Sequence, residues 1–495
     1  MLLVALYFCI FLSAFNVTCT IMGSSYIIGE LGGSFNIAFY STVFFGLGSA
    51  LTFPIAEHLG KRFGKSKTLR ASLLLLFLFT YLCSLSSTYF LFILTRFICG
   101  CIAGLFYPLA LGLINEVLPK EKDDLSFAFL ALLMSVTPVI GACFGGWIAY
   151  DYNWRWIFHF QQPAMAFCFL ILYLHRKEEA YQAQKDPFDF IGYSFFIVST
   201  SSFVIGVCLG QELDWLRSPF ITSLLTLSFI SIGFFILWSW KHENPLINIR
   251  LFKIPLFFLS ILLDFFLFST YFGLIILLSL WLQFEASYTP LWISLLLLHM
   301  IFAGILLFVF IIKWMKKISP YIAVFFSIAA LALSCFYSMT FNAETNFGRI
   351  AISRVFAGFG LAFFLYPLYS ICLSALSKEQ RPQGVIVFQS CRLLGGALGI
   401  SVYTTIWYRR AIFYHERLGS SLTTYSENTQ EFFSNLSFFG PKGLEATEYL
   451  EKALTSQSRV LALADTSYLM GWILVILLIL FSLYWAKTKF YPNRN

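Results

Sequence analysis

Charge is what this 495-residue chain has least of: Asp, Glu, Lys and Arg together make up 12% of it. A soluble globular domain carries about 25% charged residues, so that class is excluded. Low-complexity and Gly/Ser/Pro-rich stretches are also missing, which argues against a disordered tail or a soluble appendage. All 11 Cys fall inside apolar runs. They show no CxxC spacing, so neither a disulfide framework nor a metal site is indicated, and they read as small hydrophobes. No basic segment and no small-residue cleavage site precede the first apolar run, which is therefore expected to be a span and not a removable signal. No Gly-x-x-x-x-Gly-Lys-Ser/Thr phosphate loop occurs, so no ATP machinery is visible. No cofactor is called for, and a proton gradient is the expected energy source. The net charge of +8 is read by position, as a marker of membrane orientation, and does not imply nucleic acid.

What is present is apolar: 59% of the residues are hydrophobic and 19% aromatic, and they gather into fourteen runs parted by polar connectors. A bilayer core of about 30 Å needs about 20 apolar residues per helix. The expected spans are 3–21, 37–56, 71–87, 89–114, 126–149, 156–174, 190–209, 219–239, 256–282, 291–311, 321–340, 349–374, 384–408 and 464–486. Alternate connectors, with the tail, hold 21 Lys and Arg on one side; the other side holds nine, six of them in the long segment 409–463. Long loops weigh little in the positive-inside rule, so both termini are expected to be cytoplasmic.

An internal repeat is visible. Arg96-Phe-Ile-Cys-Gly100, followed by Gly104 and Pro108, recurs as Arg354-Val-Phe-Ala-Gly358, followed by Gly360 and Pro367. Repeated halves are the usual construction of secondary transporters, although small residues also recur in helix-packed membrane proteins generally. The expected division is a six-helix bundle in 1–175, a two-helix insert in 176–249, and a six-helix bundle in 250–495 with a long external loop at 409–463.

Several motifs stand in order along the chain. The connector after the second run reads Gly60-Lys-Arg62-Phe-Gly64-Lys65, two glycines four apart interleaved with basic residues in a tight turn. The fifth run carries Pro138, Gly141, Gly145 and Gly146, a pattern that kinks a helix and lets another backbone approach. Trp154-Arg155-Trp156-Ile-Phe and Gln162-Pro163 follow it. Gly210-Gln-Glu-Leu-Asp-Trp215 lies between the seventh and eighth runs, and Asn244-Pro245 leads toward the ninth. The thirteenth run carries Gln389-Ser-Cys-Arg392-Leu-Leu-Gly395-Gly396-Ala-Leu-Gly399.

Together these residues resemble the major facilitator superfamily, and within it the 14-spanning drug:proton antiporter family of EmrB- and QacA-type multidrug efflux permeases. The resemblance covers nearly the whole chain. It implies an all-α membrane protein with the major facilitator fold and fourteen transmembrane helices, arranged six, two and six. It implies proton-coupled export of small hydrophobic or amphipathic compounds from the inner membrane, with a periplasmic adaptor protein and an outer-membrane channel as partners. Gly100 belongs to the matching fourth-span motif, where Arg96 answers to an Arg associated with proton coupling. The sequence also departs from the family. The first-span Asp is replaced by Asn16, Cys99 stands where Gln is usual, Lys61 where an acidic residue is usual, and Ala142 where Pro is usual.

Ionisable residues at membrane depth cost roughly 2.5 to 3.5 kcal/mol on insertion scales and are functional candidates by default. Those set more than a few residues inside the runs are Arg96, Asp264, Arg354, Arg392 and His299. Asp264 is the one acidic residue deep in an expected span. Burial disfavours its charged form, as proton exchange near neutral pH requires, whereas a nearby Arg would favour it. Two readings stand: a carboxylate that titrates during transport, or a structural ion pair. For Arg96 they are proton coupling or helix packing, and Gln389 and Arg392 either contact substrate or lock helices. Aromatic residues are too abundant for any single Phe to be singled out. The expected function is a proton-coupled antiporter working by alternating access. The alternative is a facilitator-fold carrier of a specific metabolite or lipid, an importer included, and the absent first-span Asp supports it. A membrane enzyme is disfavoured because no His/Asp/Glu cluster stands at a membrane face.

Overall fold

The computed structural model describes residues 1–33, 37–118, 123–175, 188–314, 319–423 and 425–490. All regular structure among them is helical. The helices are α1 (Leu2–Thr18), α2 (Ser24–Leu31), α3 (Tyr40–Thr52), α4 (Ala56–Phe63), α5 (Lys65–Ser84), α6 (Tyr89–Ala103) and α7 (Phe106–Val117). Then come α8 (Asp123–Asp151), α9 (Trp156–His159), α10 (Gln161–Leu174), α11 (Phe190–Leu209), α12 (Pro219–Lys241) and α13 (Pro255–Phe284). The last six are α14 (Pro290–Trp314), α15 (Pro320–Ser338), α16 (Phe347–Ser374), α17 (Arg381–Gly419), α18 (Glu427–Phe438) and α19 (Leu444–Phe490). Part of the basic connectors that set the expected orientation, at 119–122, 176–187 and 315–318, lies outside the described residues.

Every expected apolar run falls on helix, and eleven helical stretches are by themselves long and apolar enough to cross a membrane. Leu2–Thr18 and Pro290–Leu306 are shorter apolar helices. The second run is broken into α3, a 3-10 turn at Phe53–Ile55 and α4, and Pro54 explains the break by withholding an N–H from the ladder. The fourth run divides into α6 and α7. Pro108 lacks the N–H that would bond the Gly104 carbonyl, and Gly104 is pressed against Ser49 and Thr52. Helix starts follow ordinary chemistry: Pro opens α12, α13 and α15, and Thr88, Asp189 and Asn346 cap α6, α11 and α16 through their side-chain oxygens.

Burial separates the helices into two kinds. Every residue of α13 from Leu267 to Leu282 is buried, so it is apolar all round and surrounded by protein. On α12, Phe220, Phe229, Phe234 and Leu237 are all more than half exposed. Such a face suits hydrocarbon, because the helix keeps its own backbone bonds and asks nothing of the lipid.

Packing repeats along the chain. Helix α1 packs on α8 and α3 packs on α6; α13 packs on α17 and α14 on α16 in the same pairings. The two sets meet through α8 with α14 and α3 with α17. Small residues make the crossings. A side chain at Gly141 would meet the Phe15 carbonyl at 2.5 Å, and one at Gly145 would overlap the Cys19 carbonyl. In the second set, a side chain at Gly395 would meet the Phe265 carbonyl at 2.6 Å, and one at Gly399 the Ser269 backbone at 2.6 Å. Gly100 and Gly358 likewise lie against the carbonyls of Phe45 and Met300. Without a hydrophobic drive between helices in lipid, such close backbone contact is what holds them together.

The segment 409–463, expected as a long loop, is largely folded. Helix α17 runs on to Gly419, α18 follows, and α19 begins at Leu444. Arg410 pairs with Asp465, Arg459 with Glu285, and His415 with Glu451 at 2.8 Å. Helix α11 is stitched to α3 by Tyr40 to the Cys208 carbonyl at 3.1 Å and Tyr193 to the Leu51 carbonyl at 3.0 Å. The motif 210–215 meets α17, where Arg409 donates to Gln211 at 2.8 Å and lies over the Trp215 ring.

Candidate functional site

Between the two sets of helices lies a cleft of about 700 Å³, counting the space through which it opens to its surroundings. Helices α1, α3, α7 and α8 supply one wall, including Ser13, Thr42, Ser49, Tyr107, Met134 and Pro138; α13 and α17 supply the other, with Phe268, Phe272, Arg392 and Gly396. Glycine admits this space on α17, where Gly396 keeps Cβ off the rings of Phe268 and Phe272. Among the described residues lining the cavity, Arg392 alone carries a full charge at neutral pH. It is 6% exposed, its Nη2 reaches only the Met134 sulfur at 3.8 Å, its guanidinium carbon sits 5.2 Å from the Phe268 ring centre, and its Nε has no hydrogen-bond partner. Gln389 is buried one turn before it, beside Tyr107, with its own Oε1 unpartnered.

Asp264 is fully buried on α13, one turn before Phe268, and neither carboxylate oxygen has a hydrogen-bond partner. Arg392, Cys372 and Cys391 lie within electrostatic reach of it. The close ion pair weighed from the sequence is therefore not formed. A carboxylate buried without hydrogen-bond partners is costly as an anion.

The other intramembrane arginines stand elsewhere. Arg96, fully buried on α6, donates from Nη2 to the Asn16 carbonyl at 2.6 Å and from Nη1 to Asn16 Oδ1 at 3.4 Å, with its guanidinium 4.5 Å from the Phe45 ring centre. Asn16 Nδ2 in turn donates to Gln161 Oε1 at 2.5 Å. Arg354 occupies the matching place on α16 but faces α15: its Nη2 donates to Ser338 at 3.1 Å and Ser353 at 2.9 Å, while Nε and Nη1 have no partner. Neither arginine lines the cavity.

The glycine motif of the fifth run serves two neighbours. Gly141 and Gly145 admit α1, whereas Gly146 admits α14: a side chain there would meet Ser294 Oγ at 2.6 Å and the Pro290 carbonyl at 3.1 Å. At this same crossing Ser294 Oγ donates to the Cys143 carbonyl at 2.9 Å and Cys143 Sγ to the Ser294 carbonyl at 3.3 Å. Nearby, Ser25 donates to Gln283 at 2.8 Å. These contacts join the two sets of helices. Pro138 lies within α8, and its carbonyl accepts from Thr18 Oγ1 at 2.5 Å.

Gly64 adopts φ +90° between α4 and α5, a conformation glycine takes without strain. Lys65 then stretches along Gly112 to pair with Glu116 at 2.5 Å, tying the α4–α5 turn to α7. Gly60 fits under Leu109 in the same contact, and Arg62 is exposed, its guanidinium 5.5 Å from the Phe63 ring centre. At the opposite end of the helices, Arg155 pairs with Glu30, and Trp154 Nε1 donates to that carboxylate at 2.6 Å.

Sequence reasoning did not single out Tyr107, Met134, Phe268, Phe272 or Gln161. The four-residue spacing of Asp264, Phe268 and Phe272 was the available signal, since it sets them along one stripe of α13. Nothing in the sequence pointed to Gln161 as a partner of Asn16.

Repeated helical sets around a shared cavity, with buried charge beside it, are the arrangement of a polytopic membrane carrier. The family model described as the Major Facilitator Superfamily matches residues 6–400, and the chain belongs to that superfamily. It is 28% identical over 490 residues to the multidrug export protein EmrB of Escherichia coli strain K12, covering 98% of this chain and 95% of that protein. It is 27% identical over 470 residues to the fatty acid resistance protein FarB of Neisseria gonorrhoeae, covering 95% and 92%. Among solved structures, the POT family transporter PepTSo superposes with a TM-score of 0.62 at 13% identity, over 97% of this chain and 98% of that one. A bacterial homologue of the human lysosomal transporter Spinster gives 0.60 at 15% identity, over 97% and 96%. The fold of these transporters is shared at identities too low to carry anything else.

Proposed function

We propose that this chain is a proton-coupled multidrug exporter that works by alternating access. The carrying observation is the cavity shared between two sets of helices that also meet through the α8–α14 contact. The whole-length similarity to multidrug exporters supports the direction of transport. In this reading the fourteen apolar runs all span, as six, two and six. Residues 1–175 and 250–495 rock against each other, 176–249 rides on them, and both termini face the cytoplasm of the inner membrane.

Asp264 exchanges the coupling proton, and Arg392 with Gln389 faces the substrate. Arg96 with Asn16, and Arg354 with its serines, hold helices at fixed spacing. Gly60, Arg62, Gly64 and Lys65 hinge one end, while Gly146 seats the α8–α14 contact at the other. Substrates are small hydrophobic or amphipathic compounds, and a periplasmic adaptor protein with an outer-membrane channel completes the route out of the cell. The test is dye and drug efflux in a pump-deleted host. Extrusion that stops when the proton gradient is collapsed supports the reading; no extrusion of any hydrophobic compound contradicts it.

A further inference from the structure

We propose that the groove between α11 and α12 is a binding site for an anionic phospholipid, with an acyl chain lying along the groove and the head-group phosphate on Lys241. The proposal goes beyond the exporter reading and needs only that the chain sits in a bilayer.

Two helical stripes build the groove. On α12, Phe234, Leu237, Trp238 and Lys241 recur at helical spacing and share one face; on α11, Ile191 and Phe195 stand four apart and face them. The rings of Phe195 and Phe234 stack with centres 5.6 Å apart and form the floor. The groove measures about 910 Å³, counting the space through which it opens to its surroundings. Ile191, Phe234 and Leu237 are 47%, 53% and 61% exposed, so the described residues leave it open along its length. Hydrocarbon suits such a surface, because both helices keep their own backbone bonds and offer apolar side chains.

The charged end sets this groove apart from the rest of the lipid-facing surface. From Phe234 to Lys241 the helix rises about 10 Å, which puts the ammonium at the mouth of an apolar trough. Lys241 is exposed and makes no ion pair among the described residues. His242 lines the same rim, its ring stacked on Trp238 at 5.5 Å. Arg250 and Lys253 add positive charge to this end of α12: Arg250 Nη2 donates to the carbonyls of Trp240 at 2.7 Å and His242 at 2.8 Å, and Lys253 Nζ lies 4.4 Å from the Trp240 ring centre.

Two acidic residues stand at the same end, and neither answers Lys241. Asp189 is buried and already accepts from Gly192 N at 2.9 Å, Trp238 Nε1 at 2.9 Å and Leu246 N at 3.3 Å. Glu243 is exposed and does not line the groove. At the far end of the pair, the connector 210–218 carries Glu212 and Asp214 with Arg217. An anionic head group is therefore drawn to one end of the groove, where it gains a charge-assisted contact. A zwitterionic head group brings its own cation to the same place and gains less.

The test is native mass spectrometry of the purified full chain, incubated with equal amounts of dioleoylphosphatidylglycerol and dioleoylphosphatidylcholine. These lipids share their acyl chains and differ in head-group charge. The expected result is retention of phosphatidylglycerol about fivefold above phosphatidylcholine. Lys241→Gln should bring the ratio close to one, and Lys241→Arg should keep it. Leu237→Asp, which puts a carboxylate in the trough, should abolish the preference by a second route. Lys67→Gln removes an exposed lysine at the start of α5 and should leave the ratio unchanged. Excess glycerol 1-phosphate should not displace the lipid, because the head group alone lacks the chain that Phe195 and Phe234 seat. Equal retention of the two lipids overturns the proposal, as does an unchanged ratio in Lys241→Gln. So does an equal fall in Lys67→Gln, which would mark general attraction to basic surface, or displacement by glycerol 1-phosphate, which would mark a free-phosphate site. A dimer mass in place of the lipid adduct would show a second copy of the chain on the groove and overturns it too. None of these outcomes bears on the exporter reading, which efflux decides separately.

Discussion

Arg96 on α6 grips Asn16 on α1 twice, through the backbone carbonyl at 2.6 Å and the side-chain oxygen at 3.4 Å. Asn16 occupies the place where the resemblance leads one to expect an aspartate, so the buried arginine meets dipoles where an ion pair was expected, and its Nε has no hydrogen-bond partner. Gln161 extends the network to α10. Removing the amide by Asn16→Leu strips partners from both Arg96 and Gln161, and a buried group left unpaired costs about 1–3 kcal/mol. Thermal unfolding in detergent should show that loss, with Asn16→Asp retaining most of the stability because it still accepts from Arg96.

Close backbone contact makes the α1–α8 crossing intolerant of side chains. Gly145→Leu would drive its side chain into the Cys19 carbonyl, and Gly399→Leu would do the same to Ser269 on α13. Both variants should fail to accumulate as folded protein, as judged by size-exclusion profile. Gly29→Ala meets nothing within 4 Å and should behave as the unaltered chain.

Gly146 sits where the two sets meet: a side chain there would reach Ser294 Oγ on α14 at 2.6 Å and Met22 Cβ, in its own set, at 2.7 Å. Gly146→Leu should wedge this contact open. Transport is expected to fall about tenfold or more while the unfolding midpoint changes little, since the contacts of Gly141 and Gly145 with α1 persist. Equal loss of stability and transport would show that the contact is structural only.

The Glu30–Arg155 pair sets a pH dependence outside the membrane-spanning segments. Arg155 holds the Glu30 carboxyl below the usual 4.5 of a glutamate, with Trp154 assisting. A lowered carboxylate value gives stability that is present above the unfolded value and lost as pH falls through the folded one. The pair is half exposed, so its worth is about 1 kcal/mol at most. Glu30→Gln should therefore be less stable than the unaltered chain at pH 7, and the difference should shrink below pH 4.5 and vanish once the carboxyl is protonated in both states. Unfolding midpoints measured from pH 7 downward check this.

How much of this could be read from the sequence follows from what each signal encodes. Apolar run length located the helices, since each must match a fixed bilayer thickness. The glycine motifs also announced close approach, and Gly100, Gly141, Gly145 and Gly395 all press on a neighbouring carbonyl. What stayed hidden depends on which helix faces which. The matching arginines of the repeat part company, Arg96 turning to Asn16 and Arg354 to Ser338 on α15 and Ser353 on its own helix. Phe268 and Phe272 could not be told from dozens of lipid-facing rings until α17 was seen to bring Gly396 against them. The folded segment 409–463 was masked by its polarity, which suits an extramembrane helix as well as a loop.

Proton movement through Asp264 is the centre of the account, and it can be measured directly. Inside-out vesicles carrying the full chain, loaded with a pH-sensitive dye and energised, should show proton flux on addition of a transported hydrophobic compound. In Asp264→Asn the neutral amide keeps the shape and drops the exchangeable proton, so substrate-dependent flux should vanish while the protein stays folded and still binds substrate. Normal proton-driven transport in Asp264→Asn would contradict the account.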